Sequence, residues 1–144
     1  MRGCVIALFS LGVVLLSFSA PARPSHVQAV AEKDARTPAQ QKIESRLLYE
    51  IYRTRGQSDA KQVPPGPTGV RIDKHGRALV DIRAVVTPAL IARVKKSGGT
   101  ILSTSVEHHS ILAHVPVLQL ERLAGDRSVR AISVASEPVT VRQR

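Results

Sequence analysis

The chain has 144 residues, room for one domain, and carries a formal net charge of +10 with only 3% aromatic residues. Its arginines and lysines are scattered and it offers no stacking platforms for bases. Nucleic-acid binding is therefore not expected, and the charge reads as a basic solvated surface. The one cysteine, Cys4, falls in an apolar leader. Past that leader the chain has no cysteine for a disulfide or a thiol nucleophile.

In chain order, Arg2 precedes an apolar run from Cys4 to Phe18, followed by small residues and prolines. This is the layout of a secretory signal peptide, here residues 1–22, and it implies a secreted or periplasmic protein. Ala20-Pro21-Ala22 fits the small-x-small cleavage rule; Ala29-Val30-Ala31 fits it farther from the run. The run is shorter than the ~20 apolar residues that span a bilayer. No membrane association is expected once it is removed. Cys4 also lies on the wrong side of the run for a lipid anchor.

Residues 23–69 read as a leader. Arg23 to Pro38 is polar, rich in alanine and proline, and expected to be disordered. Thr37-Pro38 can cap and start a helix over about 38–55. Ile43, Leu47, Leu48 and Ile51 form its apolar stripe. The helix should stop near Gly56, before a Pro/Gly linker from Gln57 to Gly69. Such a helix needs a surface, either the following domain or a partner.

The domain is expected over 70–135. Val70 to Ile72 can form a short strand, and Asp73 to Gly76 a turn. Ala78, Val80, Ile82, Ala84 and Val86 alternate with Leu79, Asp81, Arg83 and Val85, a strand with one apolar face. Thr87 caps a helix with Pro88 at its first position; Leu90, Ile91 and Val94 face inward, and Gly98-Gly99 closes it. Thr100 to Val106 and Ser110 to Val115 read as strands around a Glu107–His109 turn. Pro116 opens a helix with the stripe Val117, Leu120, Leu123 and Ala124, ended by Gly125; Ser128 to Ala135 is a last strand. The order predicts an α+β domain of ferredoxin-like type, βαββαβ. It would be an antiparallel sheet with two helices on one face, preceded by the signal peptide and the amphipathic helix. Its other face is left open, carrying Leu79, Asp81 and Arg83 from the first strand and Leu112 and His114 from the third. Ala131 and Ser133 join it in one of the two facings open to the last strand.

Little in these residues suggests bond-making chemistry. His108-His109 is the one histidine pair. Adjacent turn residues point apart, and no further ligands complete a tetrahedral set, so no metal or other cofactor is expected. Asp81, His114 and Ser133 can be set on sheet faces, but no nucleophile elbow or phosphate-binding loop accompanies them. A non-enzyme is expected. The last nine residues, Ser136 to Arg144, are extended and β-prone, suited to adding as a strand in another protein's cleft.

Two stretches carry a family pattern: "ALVDIRAVVTPALIARVKKSGGTI" and "HSILAHVPVLQLERLAGDRSVRAISVA". A strand, a helix ending in Gly-Gly, a strand pair, "VP" opening a helix, "LERLAG" and a closing strand follow in that order. The chain from Val70 to Ala135 thereby resembles the N-terminal prodomain of secreted subtilisin-like serine proteases, the inhibitor-type propeptides. The resemblance implies a module that inhibits its protease and chaperones its folding. Leu79, Asp81, Arg83, Leu112 and His114 would dock on the catalytic domain. Val139, Thr140, Val141, Arg142, Gln143 and Arg144 would lie in the substrate cleft. The departure is that no catalytic domain follows Arg144. The chain is thus a stand-alone inhibitor or chaperone, a truncated protease product, or a ferredoxin-like binding module unconnected with proteases. A monomer of marginal stability is expected, because domains of ~60 residues bury only about 60% of their unfolded surface.

Overall fold

The computed structural model describes residues 35–135. The expected signal peptide, the cleavage positions and the tail Ser136–Arg144 lie outside these residues. What is described is an α+β fold built on a four-stranded antiparallel sheet.

The first element, α1 (Pro38–Gln41), is a single turn held at its start by a capping box. The Thr37 hydroxyl accepts from the Gln40 amide, and the Thr37 amide donates to the Gln40 side chain at 3.0 Å. One continuous helix over 38–55 is not what forms. Lys42 to Glu44 leave the helical path, and Ile43 makes a parallel bridge to Ile132. The Ile132 amide donates to the Lys42 carbonyl at 2.8 Å, and the Glu44 amide donates to the Ile132 carbonyl at 2.9 Å. A strand edge needs backbone partners that an uninterrupted helix, whose own groups are paired, cannot supply. The helix resumes as α2 (Ser45–Thr54) and ends before Gly56, whose φ of +66° suits glycine.

The stripe read from sequence is buried: Ile43, Leu47, Leu48 and Ile51, joined by Tyr52. They belong to one core cluster with the sheet, so the helix packs on the domain itself. The following loop is tied back to α2. The Arg53 guanidinium donates to the Pro64 carbonyl at 3.0 Å and also reaches the Gly66 carbonyl, while Val63 and Val70 pack against the core. The short strand expected at Val70–Ile72 is reduced to one bridge, Ile72 to Ala78. The Asp73–Gly76 turn follows, with Gly76 at φ +71°.

Strand β1 (Arg77–Ala84) buries Ala78, Val80, Ile82 and Ala84. Helix α3 (Pro88–Lys96) starts on Thr87, whose hydroxyl accepts from the Leu90 amide at 3.2 Å, and ends at Ser97–Gly98, with Gly98 at φ +79°. Leu90 and Val94 are buried and Ile91 packs partly against them. Gly99 sits so close to Val94 that any side chain there would collide with the Val94 carbonyl oxygen. Strands β2 (Thr100–Ser105) and β3 (Ser110–Pro116) form a hairpin. Pro116 is the last residue of β3 rather than the first of a helix. Its carbonyl precedes a 3₁₀ turn, Val117–Gln119, which runs into α4 (Leu120–Ala124). Val117, Leu120, Leu123 and Ala124 are all buried. Strand β4 (Val129–Val134) closes the sheet.

The strand order is β2-β3-β1-β4, and every neighbouring pair is antiparallel. The inward residues of β1, β3 and β4 share one cluster with those of α2, α3, the 3₁₀ turn and α4. The helices therefore cover one face of the sheet, and among the described residues no element covers the other. A register shift between Arg83 and Ala84 settles the facing of β4: Val129 pairs with Ala84 and Ala131 with Arg83. Arg130 is the extra residue, Ile132 lies inward opposite Ile82, and Ala131 and Ser133 share the open face. Among the described residues no helix is long and apolar enough to cross a membrane.

Candidate functional site

The open sheet face is built by alternation on β1 and β3. Register places Leu79 opposite His114, Asp81 opposite Leu112, and Arg83 opposite Ser110. On the other side of β1, Asp81 faces Ser133 and Arg83 faces Ala131. The structure thus brings Leu79, Asp81, Arg83, Leu112 and His114 together. Val139 to Arg144 lie outside the described residues.

The face has an apolar half and a polar half. Leu79 is only 8% exposed yet stands outside the core cluster; Leu112 and His114 are half-buried. At the other end the Arg83 guanidinium donates to Asp81 at 2.9 Å and to the His108 carbonyl at 3.3 Å. The Ser110 hydroxyl donates to the second Asp81 oxygen. Ser110 and the His108 carbonyl escaped the sequence reading. Their signal lay in the pairing register of β1 with β3, which the sequence does not state. Asp81 is thus satisfied by two donors, and no hydrogen bond joins it to His114 or Ser133 among the described residues.

The β2–β3 turn, Val106–His109, places the histidine pair at this end. The His108 amide donates to the Ser105 hydroxyl at 3.1 Å, and His109 adopts φ +50°. Among the described residues no group of three His, Cys, Asp or Glu side chains is placed to hold a metal ion.

The opposite end of β1 is anchored by Asp73. Its carboxylate accepts from the His75 amide at 2.8 Å and from the Arg77 amide and guanidinium at 2.9 and 2.8 Å. The backbone amide of Arg77 is the main cause holding this carboxyl at about 2, with the Arg77 side chain and the His75 amide adding to it.

Two further carboxylates tie the leader and helices to the domain. At Glu121, burial pushes the pKa up, but hydrogen bonds from Arg55 and Gln40, the latter at 2.7 Å, hold it below its ordinary value. Asp126 is lowered first by the Ser128 hydroxyl and amide, and the nearby Arg93 lowers it further. Glu44 seals the edge of β4: its side chain accepts from the Val134 amide at 2.8 Å. These contacts are structural and stand apart from the open face.

No family model, curated protein or solved structure matches the chain.

Proposed function

We propose that this chain is an exported, non-catalytic module of the subtilisin-prodomain kind. In this reading it inhibits a subtilisin-like serine protease, or chaperones its folding, by docking its open sheet face and laying residues 139–144 in the protease cleft. The observation that carries the reading is the sheet. A βαββαβ order with strands β2-β3-β1-β4, all antiparallel, is the ferredoxin-like arrangement that the resemblance implies. Leu79, Asp81, Arg83, Leu112 and His114 form one continuous patch on its uncovered side. A mixed patch of small, apolar and internally paired charged groups suits a protein contact. The leader helix adds to this module by completing its core.

The test is inhibition. The protein, with and without residues 136–144, is titrated against a panel of subtilisin-like proteases, beside a Leu112→Asp variant. Saturable inhibition that weakens both on tail removal and in Leu112→Asp supports the reading. Degradation without inhibition of any member refutes it, and moves the assignment to a binding module of the same fold unconnected with proteases.

A further inference from the structure

The two edges of the sheet differ. Along β4 the edge is sealed by the Ile43 bridge, by backbone bonds from Lys42 and Glu44, and by the Glu44 carboxylate on the Val134 amide. The β2 edge has no strand on its outer side among the described residues. Its sequence, TILSTS, holds no charge and no proline, the usual guards of an exposed edge. Beside it stand the two most exposed large apolar side chains of the described residues, Leu102 at 52% and Val106 at 68%.

We propose that the β2 edge pairs with the β2 edge of a second copy, antiparallel about a two-fold axis at Thr104. Register picks out this axis. It sets Leu102 of one copy opposite Val106 of the other, so both exposed apolar groups are covered together. Ser103 then faces Ser105. The register shift between Ile101 and Ser103 leaves Ser103–Ser105 as the uninterrupted segment around this axis, with Leu102, the unpaired bulge residue, at one end of it and Val106, which opens the turn, at the other.

Charge supports the same occupant. At the Thr100 end lie Lys96, exposed at the close of α3, and Arg77, which donates to the Thr100 hydroxyl at 3.2 Å. At the other end lies exposed Glu107. Glu44, Glu50, Asp73, Asp81, Glu121 and Asp126 each hold an arginine within the chain. Among the described acids only Asp59 and Glu107 hold none. Antiparallel pairing brings the Lys96 end of each copy against the Glu107 end of the other, while the uncharged strands meet without repulsion. Arg83, near Glu107, is already held by Asp81. Closure follows from the sealed β4 edges: the isologous contact consumes both open edges, and the eight-stranded sheet cannot grow further. The dimer presents two copies of the open face on one side of a continuous sheet. This inference does not depend on the protease reading.

The experiment is sedimentation velocity across a wide concentration range, on protein purified after expression of the full chain, with circular dichroism to verify folding of each variant. A monomer–dimer equilibrium is expected. Leu102→Lys should weaken it about tenfold or more, and Glu107→Lys roughly tenfold through its two symmetry-related pairs. Combining Glu107→Lys with Lys96→Glu should restore most of the loss. A monomer at every concentration, a dimer that these folded variants leave unchanged, or open-ended assemblies would overturn the proposal.

Discussion

Leu48→Ala tests whether the leader helix is part of the domain or an accessory to it. Leu48 has no exposed surface and lies in one cluster with sheet residues of β1, β3 and β4. Truncating a fully buried leucine loses its transfer free energy and leaves a cavity, together about 3 kcal/mol within a range of roughly 2–5. Small domains hold only about 5–15 kcal/mol in total. For a domain of about this size the loss should lower Tm by about 12–24 °C, at 4–8 °C per kcal/mol. Ile43, Leu47, Ile51 and Tyr52 are buried beside Leu48. Five such side chains contribute roughly 8–15 kcal/mol of gross burial, so a chain beginning at Val70 should not fold by itself. The assay is thermal and urea denaturation of wild type, Leu48→Ala and the truncated chain, with exposed Leu118→Ala as control. A Leu48→Ala change smaller than about 1 kcal/mol, well under the range for buried leucines, would refute the reasoning. So would cooperative folding of the truncated chain.

Two smaller contributions follow from local geometry. Asp73 has its folded pKa depressed from 3.8 to about 2, so its stabilisation is complete above about pH 4 and is lost as pH falls toward 2. Asp73→Asn should flatten that part of the acid-unfolding curve, and parallel curves for variant and wild type would exclude the role. Thr87→Ala removes the hydroxyl that caps α3 and should cost about 1 kcal/mol, whereas Thr87→Ser should cost little. Equal melting temperatures for the two variants would show that the cap contributes nothing.

Much of the architecture was legible because local signals agreed with one another. Thr87-Pro88 and Gly98 bracket α3, and the alternation from Ala78 to Ala84 marks the buried face of β1. The stripe Val117, Leu120, Leu123 and Ala124 is buried although its first residue belongs to a 3₁₀ turn. What escaped is non-local. The break at Lys42–Glu44 has no glycine or proline to announce it; it follows from the pairing needs of Ile132, almost ninety positions on. The facing of β4 depends on one inserted residue, Arg130, whose effect shows only against the β1 register. In the candidate face, the side chains of β1 and β3 were legible by period two. The Ser110 and His108 partners of Asp81 and Arg83 were not, because β1 and β3 are joined only through α3 and β2, so their register is set by the packing of the whole sheet rather than by either strand alone.

The polar half of the open face bears on what that face can do. A partner that covers it must remove Asp81 and Arg83 from water, and a lone buried charge costs several kcal/mol. Here each charge already has its partner, and the Asp81 carboxylate gains a hydroxyl donor from Ser110 while Arg83 keeps the His108 carbonyl. Most of the bonding these groups require is made before any partner arrives. A partner therefore need not supply a matching counter-charge, and shape with modest apolar contact at Leu112 can carry the affinity. The same reasoning separates the two faces of the sheet. The inner face is spent on the helices and the leader, whereas the polar groups of the outer face are satisfied and no element among the described residues lies over it, a state that permits docking without demanding it for folding.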